Sequence, residues 1–326
     1  MMKTRAIVFS EQNRVEVQEV IVPEPGPEEV LVRSVQSGVS VGTDGWILTN
    51  QFTWGGDIPY PVVPGYQRAG FVEAMGAKVE GLKVGQRVAV AGSRLEGKPG
   101  SYWGGHLHLG VTSQTDIFLL PEGVSFANGA QVIVAQVGYN AAARSMAGVG
   151  ETVLVLGDGG IGQMAAQAAR VRGARIILGG HRAERIELAR RHSCDEVLLT
   201  RDPGWVKRLE SRESPITAVI DTVQDEAFFQ TYLPHLPART NVVLSGFSPA
   251  GFHIDMGELQ KKEVALLSVA GWSRQRCEET LQLMRLGKLN LEGLLTHVVP
   301  AAEAPRIYNM IRLKLEPFLG VNFLWE

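Results

Sequence analysis

Hydrophobic positions along the chain change their spacing once, near residue 125. Before it, short runs with β-branched residues and approximate alternation predict strands at 4–9, 15–20, 29–34, 65–72, 86–91 and 106–109. The break Pro23-Glu24-Pro25-Gly26-Pro27 and several Gly/Lys/Glu turns separate them, as in a small barrel or sandwich. After it, helical spacing over 127–147, 163–172 and 184–192 alternates with apolar strands at 151–156, 175–178, 196–199, 218–221, 241–245 and 264–269. Such alternation predicts right-handed βαβ units on a doubly wound parallel sheet. The run 264–272 is among the most apolar and reads as a buried strand. The tail adds a strand at 294–299, a helix at 305–313 and a strand at 318–324. The fold class is therefore α/β, divided at 1–122, 123–285 and 286–326, the last part returning to complete the first.

Composition narrows the function classes. The chain has 326 residues, 32 Lys plus Arg against 34 Asp plus Glu, and a formal charge of −2. That balance speaks against a nucleic-acid binder. The two cysteines, Cys194 and Cys277, exclude a disulfide scaffold and a four-cysteine zinc site. The first residues hold an apolar stretch too short for a signal peptide, and no run approaches a membrane span. The expectation is a cytoplasmic protein with a small-molecule substrate and neither nucleic acid nor membrane as partner.

The sharpest local signal is Gly157-Asp158-Gly159-Gly160-Ile161-Gly162, a G-x-G-x-x-G directly after an apolar strand and opening an alanine-rich helix. Gly157 suits the tight turn, Gly159 a close approach to pyrophosphate, and Gly162 close helix–strand packing. Asp158 is unexpected beside phosphates and is taken to point to solvent. Where a ribose-reading acid would end the second strand stand Gly180, His181 and Arg182, with Arg185 one turn on. Space and positive charge without an acid favour NADP(H), with NAD(H) as the other candidate. Alternatively, the two arginines are solvated charges at a helix start.

A β-rich start, a dinucleotide-binding half and a return segment resemble the medium-chain dehydrogenase/reductase superfamily across nearly the whole chain. The stretches that carry this are 24–32, Gly38-Val39-Ser40-Val41-Gly42-Thr43-Asp44, Val63-Pro64-Gly65-Tyr66-Gln67, 84–88 and Gly104-Gly105. Within it, 38–44, 60–66, 244–247 and 289–297 with the following Pro300-Ala301-Ala302-Glu303-Ala304 are similar to 3-hydroxyethyl bacteriochlorophyllide a dehydrogenases. The resemblance implies a GroES-like β-barrel catalytic domain and a Rossmann domain, with the active site in the cleft between them. It also implies a homodimer paired through the Rossmann sheet edge, for which 264–269 is the candidate strand.

Zinc-dependent members of that superfamily place a Cys before Gly-Thr-Asp, a His-Glu pair after Pro-Gly, and a further Cys near the first Rossmann helix. Here those slots hold Ser40 or Val41, then Tyr66 and Gln67, then a position near Ile133. Zinc prefers thiolate and imidazole, so no zinc is expected. Without it, a side chain must stabilise the alkoxide while hydride moves. Tyr66 is the leading candidate, with Ser40 and Thr43 as relay and Asp44 and Gln67 orienting it. Each has a plainer alternative: a core aromatic for Tyr66, a cap at the start of a helix from Asp44 for Thr43, a space-filler for Gln67. His106 reads as a structural histidine.

Trp46, Trp54, Tyr60 and Trp103 could line a pocket for a large flat substrate, or simply pack. By the same resemblance, Gly246-Phe247 and Gly271-Trp272 should touch the nicotinamide through backbone groups. The expected reaction interconverts a secondary alcohol and a ketone, with a hydroxyethyl group on a large ring as a candidate substrate. The other readings are reduction of an activated C=C bond, and a nucleotide-binding redox sensor without turnover.

Overall fold

The computed structural model describes residues 2–52, 56–249 and 251–326. It divides into two compact units, residues 1–133 with 277–326, and residues 134–276.

In chain order the first unit contains β1 (Met2–Glu11), β2 (Arg14–Val22), β3 (Glu29–Gly38), α1 (Val41–Leu48), β4 (Val62–Val63), β5 (Gln67–Met75), β6 (Arg87–Ala91), β7 (Gly100–Ser101), β8 (Leu109–Ser113), β9 (Ile117–Leu119) and α2 (Phe126–Gly129). β1 and β2 form an antiparallel hairpin whose inward residues Ala6, Val8, Val20 and Val22 share a core with Leu31 and Val111. Of the strand expected at 106–109 only Leu109 lies in a strand, opening β8; Leu107 makes an isolated bridge to Ala6, flanked by hydrogen bonds from the Ile7 N–H to the His106 carbonyl (3.0 Å) and from the His108 N–H to the Arg5 carbonyl (2.9 Å). A Cβ on Gly105 would lie 2.7 Å from the carbonyl carbon of Gly65, so the segment is pressed against the turn before β5. Helix α1 begins at Val41 with Ser40 as its N-cap, so Thr43 lies inside the helix rather than capping one that starts at Asp44.

Helix α3 (Val132–Arg144) leads into the second unit, which contains β10 (Thr152–Leu156), α4 (Gly160–Val171), β11 (Arg175–Gly180), α5 (Ala183–His192), β12 (Glu196–Leu199), α6 (Lys207–Glu210), β13 (Ile216–Asp221), α7 (Glu226–Tyr232), β14 (Asn241–Leu244), α8 (Met256–Lys261) and β15 (Ala265–Ser268). Among the described residues its strands form one parallel sheet in the order β12-β11-β10-β13-β14-β15. This is the dinucleotide-binding order, with the ligand crevice at the carboxyl ends of the strands where the order reverses, beside β10. Strand β10 is buried throughout, and Leu154, Leu156, Ile177, Val219 and Val242 join Phe229 and Tyr232 in one core. The run 264–272 is not a buried strand. Among the described residues β15 is a sheet edge, paired with β14 alone; Leu266 and Leu267 are partly buried, and Ala265 and Ser268 are exposed. Val264 and Leu266 pack against the core as partly buried side chains, so the run's apolar character does not come with full enclosure.

Helix α9 (Arg274–Arg285) returns the chain to β16 (Leu295–Pro300), α10 (Ala304–Leu313) and β17 (Gly320–Leu324). β17 pairs antiparallel with β3, Asn322 opposite Gly38, and so completes the first unit's larger sheet, β16-β17-β3-β5-β6-β9 with β8 also on β3. Among the described residues no helix is long and apolar enough to cross a membrane.

Candidate active site

The glycine turn leaves β10 and enters α4. Gly157 sits at φ +117°, a conformation that favours glycine, and a Cβ there would lie 2.0 Å from Thr222 Oγ1. A Cβ on Gly162 would lie 2.0 Å from the Gly157 carbonyl oxygen. Gly159 is the N-cap of α4, Gly160 and Ile161 open it, and nothing stands within 4 Å of a Cβ built on Gly159 or Gly160. Two of these glycines therefore answer to the protein's own packing, while two face open space at a helix N-terminus. That combination fits a nucleotide pyrophosphate.

Asp158 does not point to solvent. It is only 2% exposed. Its Oδ2 accepts from the backbone N–H groups of His181 (2.9 Å) and Arg182 (3.0 Å). Its Oδ1 accepts from Arg182 Nη1 (3.0 Å) and lies 3.6 Å from Arg185 Nη1. Burial alone would raise the carboxyl pKa; the two N–H groups and the two guanidiniums outweigh it and hold it below the usual range. Gly180 leaves space, but for this carboxylate: a Cβ there would meet Asp158 Cβ at 2.6 Å. The signal was present only as an acid in an odd place, because its partners lie 23 and 24 residues later.

Elsewhere in this unit, a Cβ on Gly246 would lie 2.7 Å from Gln224 Cβ, and Phe247 beside it is partly buried. Gly271, at φ +61°, accepts a hydrogen bond at its carbonyl from Gln136 Nε2 (2.8 Å), and Trp272 follows it.

The first unit gathers a buried polar cluster. Tyr66 is 9% exposed, and burial pushes its phenol up to about 12; the Asp44 carboxylate acts in the same direction, against hydrogen bonds with Ser40 and Thr43. Asp44 is fully buried, and its Oδ2 accepts from the Ser40 backbone N–H (3.1 Å) and the Tyr308 hydroxyl (3.2 Å). His106 Nε2 lies 3.1 Å from the same oxygen, and its Nδ1 lies 2.8 Å from Ser37 Oγ. Trp325 Nε1 donates to that Ser37 hydroxyl (2.9 Å). Asp44 Oδ1 is buried without a hydrogen-bond partner among the described residues. Sequence reasoning brought Tyr66, Ser40, Thr43 and Asp44 together but missed Ser37, Tyr308 and the His106 pairing, which join distant strands and helices.

Gln67 is fully buried, and its Nε2 donates to the Gly38 carbonyl (3.3 Å) and to Gln131 Oε1 (3.1 Å). Trp103 packs edge-on against Tyr66, ring centroids 5.5 Å apart, and against Phe52 and Tyr102. Tyr60 donates its hydroxyl to the Ile47 carbonyl at the end of α1, so its polar end is spent on backbone. Trp46 lies within α1, partly buried, and Trp54 falls outside the described residues.

The slots that hold metal ligands in zinc-dependent dehydrogenases do not fit zinc here. A hydroxyl, a phenol, an amide already bonded within the fold and the buried alkyl chain of Ile133 are poor donors beside thiolate and imidazole. No group of three His, Cys, Asp or Glu suited to a metal occurs among the described residues.

Two family models match the chain: the alcohol dehydrogenase GroES-like domain over residues 26–122 and the zinc-binding dehydrogenase over 160–285, together more than half of it. The chain belongs to this medium-chain dehydrogenase/reductase family, and is an NAD(P)-dependent oxidoreductase. An alcohol dehydrogenase of Rhizobium meliloti is 27% identical, covering 89% of this chain and 90% of its own. A 2-desacetyl-2-hydroxyethyl bacteriochlorophyllide A dehydrogenase of Cereibacter sphaeroides is 28% identical over 94% of both. The fold is also that of a putative zinc-binding dehydrogenase from Sinorhizobium meliloti solved with NADP (TM-score 0.86, 20% identity, 100% of both chains). An Escherichia coli alcohol dehydrogenase complexed with NADH gives TM-score 0.88 at 21% identity over 99% of both.

Proposed function

We propose that this protein interconverts a secondary alcohol and a ketone by hydride transfer with NAD(P)(H), without catalytic zinc, and that Tyr66 handles the proton. The observation that carries this is the setting of Tyr66: a buried phenol in a slot where zinc-dependent relatives hold a ligand, bonded to Ser40 and Thr43 beside Asp44. When bound, the nicotinamide supplies or accepts hydride at the substrate carbon. Tyr66, kept neutral by burial, donates its O–H to the carbonyl oxygen and yields the proton as alkoxide charge grows. Ser40 and Thr43 pass a proton back to the phenol, and Asp44 fixes the backbone of Ser40.

The substrate reading rests on relatives named for an alcohol and for a hydroxyethyl group on a tetrapyrrole ring. The aromatic group of Phe52, Tyr102 and Trp103 around Tyr66 supports a flat, apolar substrate. For the cofactor, Arg182 and Arg185 with no acid on β11 support NADP(H), and their pairing with Asp158 weighs toward NAD(H). The edge strand β15 supports a homodimer, and a chain with two cysteines, both buried, accords with a cytoplasmic location.

The test is Tyr66→Phe, assayed on panels of ketones and of enones. Ketone reduction falls by about 10²- to 10⁴-fold if the phenol is the acid. Undiminished turnover, with enones as the better substrates, would replace this reading with reduction of a C=C bond.

A further inference from the structure

Resting on that cofactor reading, we infer that Asp158 sets the choice between the two coenzymes, by holding the donors that a 2′-phosphate would use. In a dinucleotide-binding fold the end of the second strand of the sheet, here β11, reads the 2′ position of the adenosine ribose. That strand ends in Gly180 and carries no acid. Asp158 brings one there from the glycine turn instead, its Cβ standing 2.6 Å from where a side chain on Gly180 would begin.

The carboxylate sits in a ready anion cradle. Two backbone N–H groups, of His181 and Arg182, converge on one oxygen, and the guanidiniums of Arg182 and Arg185 face the other. Backbone N–H groups and planar, cationic guanidiniums are the kinds of donor that bind phosphate. An internal anion already holds them. Arg182 covers the pair from outside, its side chain 43% exposed, whereas Arg185 is 13% exposed. A 2′-phosphate must therefore draw Arg182 away from Asp158 and lie close to a second negative charge. A 2′-hydroxyl carries no such charge and leaves the pair intact. Like charges brought together cost binding, so the carboxylate works against NADP(H) and leaves NAD(H) alone.

The experiment is calorimetry of adenosine 2′,5′-bisphosphate and of 5′-AMP with the wild-type chain and Asp158→Asn, which keeps acceptor and shape but loses the charge. Asp158→Ser is the second variant, retaining a small acceptor for the two N–H groups, and melting curves verify folding. Affinity for the bisphosphate rises about tenfold or more on loss of the charge, while that for 5′-AMP is unchanged. The ratio of kcat/KM for NADPH over NADH rises with it. Bisphosphate affinity that is unchanged or weakened in folded variants overturns the inference alone, the weakened case making Asp158 a holder of the arginines for the phosphate. Wild-type protein that binds neither nucleotide overturns the cofactor reading and this inference together.

Discussion

His106 Nε2 lies 3.1 Å from Asp44 Oδ2, with neither side chain exposed to solvent. The two residues stand 62 positions apart, and their pairing fixes the segment before β8 against the start of α1. Asp44 takes three donors on one oxygen, so each stabilises a buried carboxylate that would otherwise be costly. His106→Ala strips one donor from it, and chemical denaturation should show a loss of about 3–5 kcal/mol. His106→Gln, whose amide can still donate, should lose less. Equal losses in both would show that the ring's packing, not its bond to Asp44, matters.

The glycines of the turn separate folding from binding. Gly162→Ala drives a Cβ into the Gly157 carbonyl at 2.0 Å, so it lowers the melting temperature. Gly159→Ala meets nothing within 4 Å and leaves the melting temperature of the free protein unchanged. It should weaken NAD(P)H binding about tenfold, read by fluorescence, if the open space belongs to the pyrophosphate.

Tyr66 makes a pH prediction. Its phenol is pushed up to about 12 from an ordinary value of 10, chiefly by burial. The donor form is therefore present throughout pH 7–10, and ketone reduction shows no loss from this group in that range. Between about pH 10 and 12 the unfolded chain releases this proton and the folded chain keeps it, so stability falls as pH rises through that window. Tyr66→Phe lacks that part of the alkaline decline in a urea titration series.

Among the described residues β15 is an unpaired edge of its sheet. If it forms the homodimer, light scattering of the purified chain gives twice 35.4 kDa, and Leu267→Lys yields the monomer, because an edge lysine opposes strand pairing. A wild-type monomer would remove the dimer from the account.

Local signals were legible in the sequence wherever a residue's role is settled by near neighbours. Gly157 and Gly162 act on each other and on the strand–turn–helix around them, so the motif showed. The alternation of apolar strands with helical spacing showed in the same way. What escaped depends on partners far along the chain. Asp158 reads as solvent-facing because its ligands, His181 and Arg182, follow a whole helix and strand later. His106 reads as a strand residue because its buried partners, Ser37 and Asp44, lie 69 and 62 positions away. The run 264–272 reads as buried because hydropathy reports a packed face, and position within a parallel sheet is a property of topology. Tyr66 was legible as a candidate only through the family slot it fills, and Tyr308 and Trp325, which close the cluster, come from the return segment.

The central claim, hydride chemistry with Tyr66 in place of a metal, is tested most directly by ketone reduction after exhaustive chelation, with the metal content of the same sample measured. The account expects full turnover by metal-free protein. Activity that disappears on chelation and returns with stoichiometric zinc would contradict it.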